Sequence, residues 1–404
     1  MLTLDDVRRA RELIGPLLRV TPFARSEHFS RSCGVEAYFK LENRHITGSF
    51  KERGALHKIL GLSEDERQRG VIAASAGNHA QAVAFHATRV GIPSTVVMPR
   101  RTPLIKVSNT RDYGAEVVLR GDNFDEAVEH ARTLESERGL VFVHPFDDER
   151  VIAGQGSVGL ELLEQEPELE VVIVPIGGGG LISGISIAMK ESRPGIQIVG
   201  VQTAALPSMQ ASLQQKERLT LPPAQTIADG IAVKRPGELT LPIVERYVDD
   251  VVTVDEEEIA NAILLLLERE RTVAEGAAAA ALAALYNGLV PRALGRRTCM
   301  VLSGGNIDVN LVSRIIERGL AKDFRRVSFE VLIQDQPGSL AALLRLVAEA
   351  EANVLEVHHE RTSRWVDLGE VCVALTLETR GEDHLRSLTR TLLEAGLEVR
   401  DPAT

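Results

Sequence analysis

Between residues 71 and 320, short β-branched runs alternate with stretches whose apolar residues recur at helical spacing. Residues 71–74, 95–98, 116–119, 140–143, 171–176, 196–201 and 299–302 read as strands. Residues 123–134 read as a helix with Phe124, Ala127, Val128, Ala131 and Leu134 on one face. Residues 274–285 are so rich in alanine that they predict a close-packed helix. At the start, residues 1–7 look like a helix cap with an acidic first turn, and 8–18 continue as a packed helix. Strand–helix alternation predicts a mostly parallel sheet covered by helices.

The order changes beyond residues 321–325. Residues 327–333 alternate as a strand, 335–339 form a turn, and 340–350 have helical spacing. Residues 353–362 and 370–377 read as strands, 383–395 as a second helix and 397–399 as a last strand. That βαββαβ order predicts a small ferredoxin-like module.

Composition narrows the class. At 404 residues the chain is long enough for two or three domains, and 44% hydrophobic with 25% charged residues is ordinary for a globular protein. A net charge of −11 argues against a nucleic-acid surface. No apolar run approaches the roughly 20 residues a membrane span needs. Cys33, Cys299 and Cys372 are scattered without pair spacing, which suits a reducing cytoplasm and excludes a cysteine zinc knuckle.

The chemistry gathers in four polar segments. Lys51 stands in Gly48-Ser49-Phe50-Lys51-Glu52-Arg53, at the mouth of a helical pattern. The positive end of a helix disfavours a second positive charge and pushes the ammonium toward the neutral, nucleophilic amine. Ser75-Ala76-Gly77-Asn78-His79 follows the strand at 71–74 and opens a helix, so its free amides suit an anion. Gly177, Gly178, Gly179 and Gly180 follow the strand at 171–176. Alone, that run is equally a phosphate cradle or a flexible turn; no Lys-Ser/Thr follows it, and no acidic residue ends the next strand. Ser303-Gly304-Gly305-Asn306 follows the strand at 299–302. The last three sit on the carboxyl side of strands, where open α/β sheets bind ligands.

Taken in order, Ser49-Phe50-Lys51, Ser75-Ala76-Gly77-Asn78-His79-Ala80-Gln81, the four glycines and Ser303-Gly304-Gly305-Asn306 resemble the threonine/serine dehydratases (threonine ammonia-lyases). Ala228-Asp229-Gly230-Ile231 is similar to that family's loop beside the cofactor. The resemblance implies pyridoxal 5′-phosphate bound in a cleft between two α/β sheets of the tryptophan-synthase-β type (fold type II). It implies that Lys51 forms the Schiff base and later acts as acid and base at Cα. It further implies that Gly177 to Gly180 hold the phosphate, that Asn78 bonds the ring 3′-oxygen, and that Ser303 faces the pyridine nitrogen. Phe50 and Gly230 would flank the ring, and Ser75, Asn78, His79 and Gln155 are the candidates for the substrate carboxylate, with Ser75 also a candidate catalytic group. The expected reaction is deamination of L-threonine to 2-oxobutanoate, and of L-serine to pyruvate. The alternatives are a β-replacing synthase and a non-catalytic amino-acid sensor. Asn78-His79 fits the dehydratase loop, because synthases usually have threonine after the asparagine.

Two departures matter. Racemases of the family carry a second serine where this chain has Ala76. Some members bind a divalent cation through a glutamate just after the strand equivalent to 196–201, where this chain reads Gln202-Thr203-Ala204-Ala205-Leu206-Pro207. No metal is therefore expected. Glu275, opening the Ala-rich helix, is either near the cofactor or a first-turn acid complementing the helix dipole.

The expected division is a catalytic part over 1–320, with a smaller subdomain at about 48–150, a linker at 321–325 and a regulatory module over 326–404. The Asp335-Gln336-Pro337-Gly338-Ser339-Leu340 turn makes that module resemble an ACT domain, with Asp335, Gln336, Gly338, Ser339 and Leu340 as effector candidates and a homodimer or homotetramer as the expected assembly. Other polar residues read as structural. His358 and His359 are adjacent on a strand and face opposite sides. His144 is a structural residue near the cleft, Trp365 an interface candidate, and the run 255–258 a solvated helix start.

Overall fold

The structure, a computed structural model, describes residues 2–361 and 367–400. Trp365 and Thr362 lie outside the described residues. By internal packing the chain divides into a unit spanning residues 1–307 and a unit spanning 308–404.

The first unit holds β1 (Phe23–Arg25), β2 (Glu36–Leu41), β3 (Val71–Ala74), β4 (Ser94–Met98), β5 (Glu116–Leu119), β6 (Val141–Phe142), β7 (Val171–Pro175), β8 (Gln197–Thr203), β9 (Asp250–Val254) and β10 (Arg297–Leu302). They form two sheets, ordered β1-β2-β10-β7-β8-β9 and β5-β4-β3-β6. Every pairing is parallel except that of β1 with β2 at one edge. All five residues of β7 are buried, as a strand covered by helices on both faces requires. The smaller sheet is packed on both faces too. Val71, Ala73 and Val83 gather with Ala55 and Ile59 on one side, and Ile72, Ala74 and Val97 with Ala127 and Ala131 on the other. The mixed α/β fold with two parallel sheets is the one expected.

The helix Glu149–Gln165 joins the two halves of this unit. A Cβ on its Gly154 would lie 2.6 Å from the carbonyl oxygen of Arg53, and one on its Gly156 would lie 2.8 Å from that of Gly184. Bare glycine backbones thus let one helix pack tightly against both the helix Lys51–Leu60 and the helix Gly180–Ser192.

Local differences from the sequence reading have local causes. The first helix is Leu4–Ile14, capped by Thr3 with Asp6, and stops short of residue 18 because Gly15 and Pro16 follow. The helix Phe124–Arg138 begins after its cap Asn123, and Phe124, in the first turn, is exposed; Ala127, Ala131 and Leu134 carry the packing.

In the second unit the helix Val309–Lys322 precedes β11 (Arg326–Gln334), so residues 309–320 pack with the C-terminal module. The helix Ser339–Glu349, β12 (Asn353–Glu360), β13 (Glu370–Glu378), the helix Glu382–Glu394 and β14 (Glu398–Arg400) follow. The sheet is antiparallel, ordered β12-β13-β11-β14. Phe329, Val331, Val373 and Leu375 on one face pack with Leu343, Val347, Leu388 and Leu392 of the helices.

Candidate active site

Lys51 is the first residue of its helix. The residues before it are stitched to the loop after β10: Ser49 bridges Gly304, and the Phe50 amide donates to the Ser303 carbonyl at 3.0 Å. Lys51 Nζ donates to the carbonyl oxygen of Pro145 at 2.7 Å and lies 5.0 Å from the centre of the Phe50 ring. Burial lowers its pKa to about 8, against a partial opposing pull from Glu275. Desolvation, more than the helix terminus, loosens this proton.

The loop after β3 presents the helix Asn78–Arg89. Ser75 Oγ accepts from the Gly77 amide at 3.2 Å and shapes the turn. Asn78 Nδ2 donates to both carboxylate oxygens of Glu275, at 2.8 and 3.0 Å, while Asn78 Oδ1 accepts from Asn306 Nδ2 at 2.8 Å. Glu275 is the N-cap residue of the helix Gly276–Tyr286, yet its buried carboxylate caps nothing and turns to Asn78. Burial raises its pKa to about 7 in spite of the Asn78 bonds. Of the two readings left open for Glu275, the side chain takes the inward one.

Two substrate candidates are turned away. The His79 ring is buried, 2.7 Å from the Val143 carbonyl through Nε2, and burial drops its pKa to about 3. A neutral ring tied into the core offers a ligand only the residue's backbone amide. Gln155 is 1% exposed, with Nε2 against Gly54 and Oε1 a buried acceptor without a partner among the described residues. It lies on the face of its helix that packs on the lysine helix, beside Gly54.

The glycine loop is a built cradle. Gly179 has φ +99° and starts the helix Gly180–Ser192. The Gly178 carbonyl is occupied by Thr240 Oγ1 at 2.6 Å and by the Gly237 amide at 3.3 Å. A Cβ on Gly178 or Gly180 would collide with Phe146, and one on Gly179 with Met209 and Thr240. Glycine is therefore required, and the first amides of the helix have no intrahelical acceptor. Gly230 stands beside this site, since a Cβ there would lie 3.4 Å from Glu275 Oε1. Ser303 is buried, and its hydroxyl has no hydrogen bond among the described residues.

Several residues escaped the sequence reading. Arg53 is 1% exposed and bonds Glu42 and Glu161; Lys40 joins Glu161 at 2.5 Å and the Thr21 carbonyl at 3.0 Å. Glu52, also buried, accepts from the Thr47 amide at 2.5 Å. These groups anchor the two residues after Lys51. Glu256 was read as a solvated helix acid, but it accepts from the Ile227 amide at 2.7 Å and from Thr203 Oγ1 at 3.2 Å. It ties the loop bearing Gly230 to the end of β8. His144 Nδ1 accepts from the Asp147 and Phe146 amides, at 2.7 and 3.3 Å, which makes it a turn former. Of these, the sequence named His144, as the structural residue it is, and Glu256, in a solvated role it does not take; Lys40 carried no local signal, and Arg53 only its place in the Lys51 motif.

In the second unit the Asp335–Leu340 turn is formed, with Gly338 at φ +97° and Asp335 paired to Arg361 at 3.2 Å. His358 and His359 are exposed on β12. Among the described residues no helix is long and apolar enough to cross a membrane, and no group of three or more His, Cys, Asp or Glu could hold a metal ion.

The chain's own groups fit pyridoxal 5′-phosphate. Lys51 supplies an amine with a loosened proton for an aldehyde, the glycine loop supplies amides where any Cβ would collide, and Ser303 supplies an uncommitted hydroxyl. Comparison with known proteins agrees. Residues 14–304 match the family described as pyridoxal-phosphate dependent enzyme. The L-threonine ammonia-lyase of Thermotoga maritima is 51% identical over 400 residues, covering 99% of each chain. The catabolic L-threonine dehydratase TdcB of Escherichia coli is 44% identical over 315 residues, 78% of this chain and 96% of its own. Among solved structures, the processed threonine deaminase isoform 2 of Solanum lycopersicum superposes with a TM-score of 0.75 at 36% identity, covering 78% of this chain and 86% of that one. Serine racemase of Dictyostelium discoideum superposes with a TM-score of 0.72 at 34% identity, covering 76% of this chain and 99% of that one.

Proposed function

This chain belongs to the pyridoxal-phosphate dependent enzymes, and from that premise we propose that it is an L-threonine ammonia-lyase that also deaminates L-serine. The observation that carries the reading is the coupling of Lys51 to the glycine cradle through consecutive residues: Nζ rests on the Pro145 carbonyl, and Phe146 backs Gly178 and Gly180. A nucleophilic amine and an anion cradle held at a fixed separation suit a molecule with an aldehyde at one end and a phosphate at the other.

Lys51 would hold the cofactor, the amides of Gly177 to Gly180 its phosphate, Asn78 its ring oxygen and Ser303 its ring nitrogen, with Phe50 and Gly230 on either face. When bound, the cofactor supplies an electron sink for negative charge at the substrate α-carbon. The protein supplies the rest. The free amides at the start of the Asn78 helix, with Ser75 Oγ and the His79 backbone, receive the substrate carboxylate. Lys51 Nζ would take the proton from Cα and, as the ammonium so formed, return it to the β-hydroxyl, which leaves as water. The freed enamine tautomerises to an imine and hydrolyses to 2-oxobutanoate and ammonia. Ser303 is neutral and acts only as a hydrogen-bond partner to the ring nitrogen. It gives no reason to hold a proton there, which favours elimination over transamination.

For the rest of the chain, we assign catalysis to the first unit, residues 1–307, and an ACT-like regulatory role to 326–404, in a cytoplasmic homodimer or homotetramer; the helix Val309–Lys322, expected to belong to the catalytic part, groups with the second unit. The antiparallel βαββαβ module and its Asp335–Leu340 turn support an amino-acid effector site at Asp335, Gln336, Gly338, Ser339 and Leu340. The test of the central reading is direct. Wild type should release ammonia and 2-oxobutanoate from L-threonine, and Lys51→Ala should not. Ammonia release at the wild-type rate by that variant would overturn the assignment.

A further inference from the structure

Asn78 sits in the middle of a hydrogen-bonded chain whose polarity is fixed from both ends. Asn306 Nδ2 lies 2.7 Å from the carbonyl oxygen of Thr47, and a carbonyl can only accept. The Asn306 amide therefore points its nitrogen inward, and the same nitrogen lies 2.8 Å from Asn78. The Asn78 atom facing it must be an acceptor, Oδ1. At the far end stands the buried Glu275 carboxylate, whose two oxygens lie 2.8 and 3.0 Å from Asn78 Nδ2. Turning the Asn78 amide over would set nitrogen against nitrogen on one side and oxygen against oxygen on the other. Asparagine orientation is ordinarily ambiguous; here two acceptors, Thr47 and Glu275, remove the ambiguity. Glu275 is itself held, because its backbone amide donates to the Gly304 carbonyl at 3.1 Å.

We infer that Glu275 and Asn306 are positioning residues that lock the Asn78 carboxamide with its N–H edge, not its oxygen, available to the cofactor. One N–H directed between the two Glu275 oxygens serves both, so the second N–H of Nδ2 remains to donate. An acceptor oxygen on the cofactor needs a donor there, and an unlocked asparagine would spend part of its time offering a carbonyl instead. The two residues approach Asn78 from different directions in the chain: Asn306 from the loop after β10, Glu275 from the Ala-rich helix. This inference rests on the proposed cofactor site.

The test is equilibrium titration of cofactor-free full-length enzyme with pyridoxal 5′-phosphate, read by Schiff-base absorbance, with the melting temperature of each cofactor-free variant as a folding control. Glu275→Ala should weaken apparent cofactor affinity about 3–10-fold, whereas Glu275→Gln, which keeps an acceptor but no charge, should stay within about 2-fold of wild type. Asn306→Asp keeps the size and reverses the polarity, and should weaken affinity at least about 10-fold; Asn306→Ala should do so less. In an Asn78→Ala background all four changes should be nearly silent. If Glu275→Gln were as damaging as Glu275→Ala, the carboxylate would act through its charge on Lys51 and the inference would be overturned. Equal effects with and without Asn78 would overturn it as well. A wild-type chain that bound no cofactor would bring down the proposed function, and this inference with it.

Discussion

The ammonium of Lys51 and the carbonyl oxygen of Pro145 stand 2.7 Å apart, 94 residues apart in sequence. This bond parks the nucleophile from the glycine-loop side of the site, and burial has already loosened its proton to a pKa of about 8. Below that pH the nitrogen is a charged, non-nucleophilic ammonium; above it, a free amine. Capture of added cofactor by the cofactor-free enzyme should therefore speed up through about pH 8 and level off above it. Stopped-flow absorbance across pH 6–10 checks this (about two units on either side of the shifted value). A flat profile would mean that the amine is not the titrating group.

The same shift bears on stability. An unfolded lysine titrates near 10.5 and the folded one near 8, so between those values the unfolded chain binds the extra proton and stability rises with pH. Below about pH 8 the cost is fully present. Lys51→Met should accordingly stabilise the cofactor-free protein at pH 7, by up to about 3 kcal/mol. The gain should shrink as the pH is raised from 8 to 10.5, which thermal melts in matched buffers will read.

Ser303 is buried with an uncommitted hydroxyl. Ser303→Ala should keep the cofactor and slow elimination, by about 10-fold if one neutral hydrogen bond is lost. Ser303→Asp places a negative charge that favours a protonated ring nitrogen, and should divert turnover toward transamination. Product analysis by chromatography separates the two; unchanged partition in both variants would remove Ser303 from the site.

At position 76, in the same loop as Ser75 and Asn78, the side chain is a methyl group and carries no proton. A reprotonation of Cα that relied on residue 76 is closed to this enzyme, despite its likeness in fold to a serine racemase. Incubation with L-serine should give pyruvate and no D-serine by chiral chromatography. Activity should also persist in EDTA, because the stretch Gln202-Thr203-Ala204-Ala205-Leu206-Pro207 that ends β8 carries no carboxylate.

Arg53 is enclosed with Glu42 and Glu161. Burial by itself would raise the Glu42 pKa, but Arg53 and His45 override it and hold the carboxyl well below its ordinary value. Arg53→Met should cost about 3–5 kcal/mol, because it strands buried carboxylates. The deficit should narrow as pH falls, since the stranded Glu42 can then protonate. Urea unfolding at pH 7 and pH 5 gives the comparison.

Truncation after Ala321 should leave a catalytic core with altered assembly and no response to amino-acid effectors. The Escherichia coli threonine dehydratase bears on the first of these, because the 315 residues it shares with this chain make up 96% of its own length. Kinetics and size-exclusion chromatography of both forms, each with the twenty amino acids in turn, test it. A truncated form identical to the full chain in assembly and response would refute a regulatory role for residues 326–404.

By itself the sequence determined the strands and helices that border the polar loops of the site, and which loops end them; β1, β2 and β9 of the larger sheet came only with the structure. Those signals are local: β-branched runs of four to six residues, apolar spacing near 3.6, and glycine where a backbone turns. It also determined that Lys51, Asn78, Gly177–Gly180 and Ser303 open or close such elements, because polar residues there have no strand or helix partner to lose. Tertiary structure alone decided where their side chains point. His79 turned inward to Val143, since its helix buries that face; Gln155 went to the seam beside Gly54 for the same reason. Glu275 meets Asn78 across 197 residues of chain, and Arg53 meets Glu161 across 108. No periodicity encodes such pairs. They form because a buried charge or amide must find a partner, and only the packed fold determines which partners are within reach.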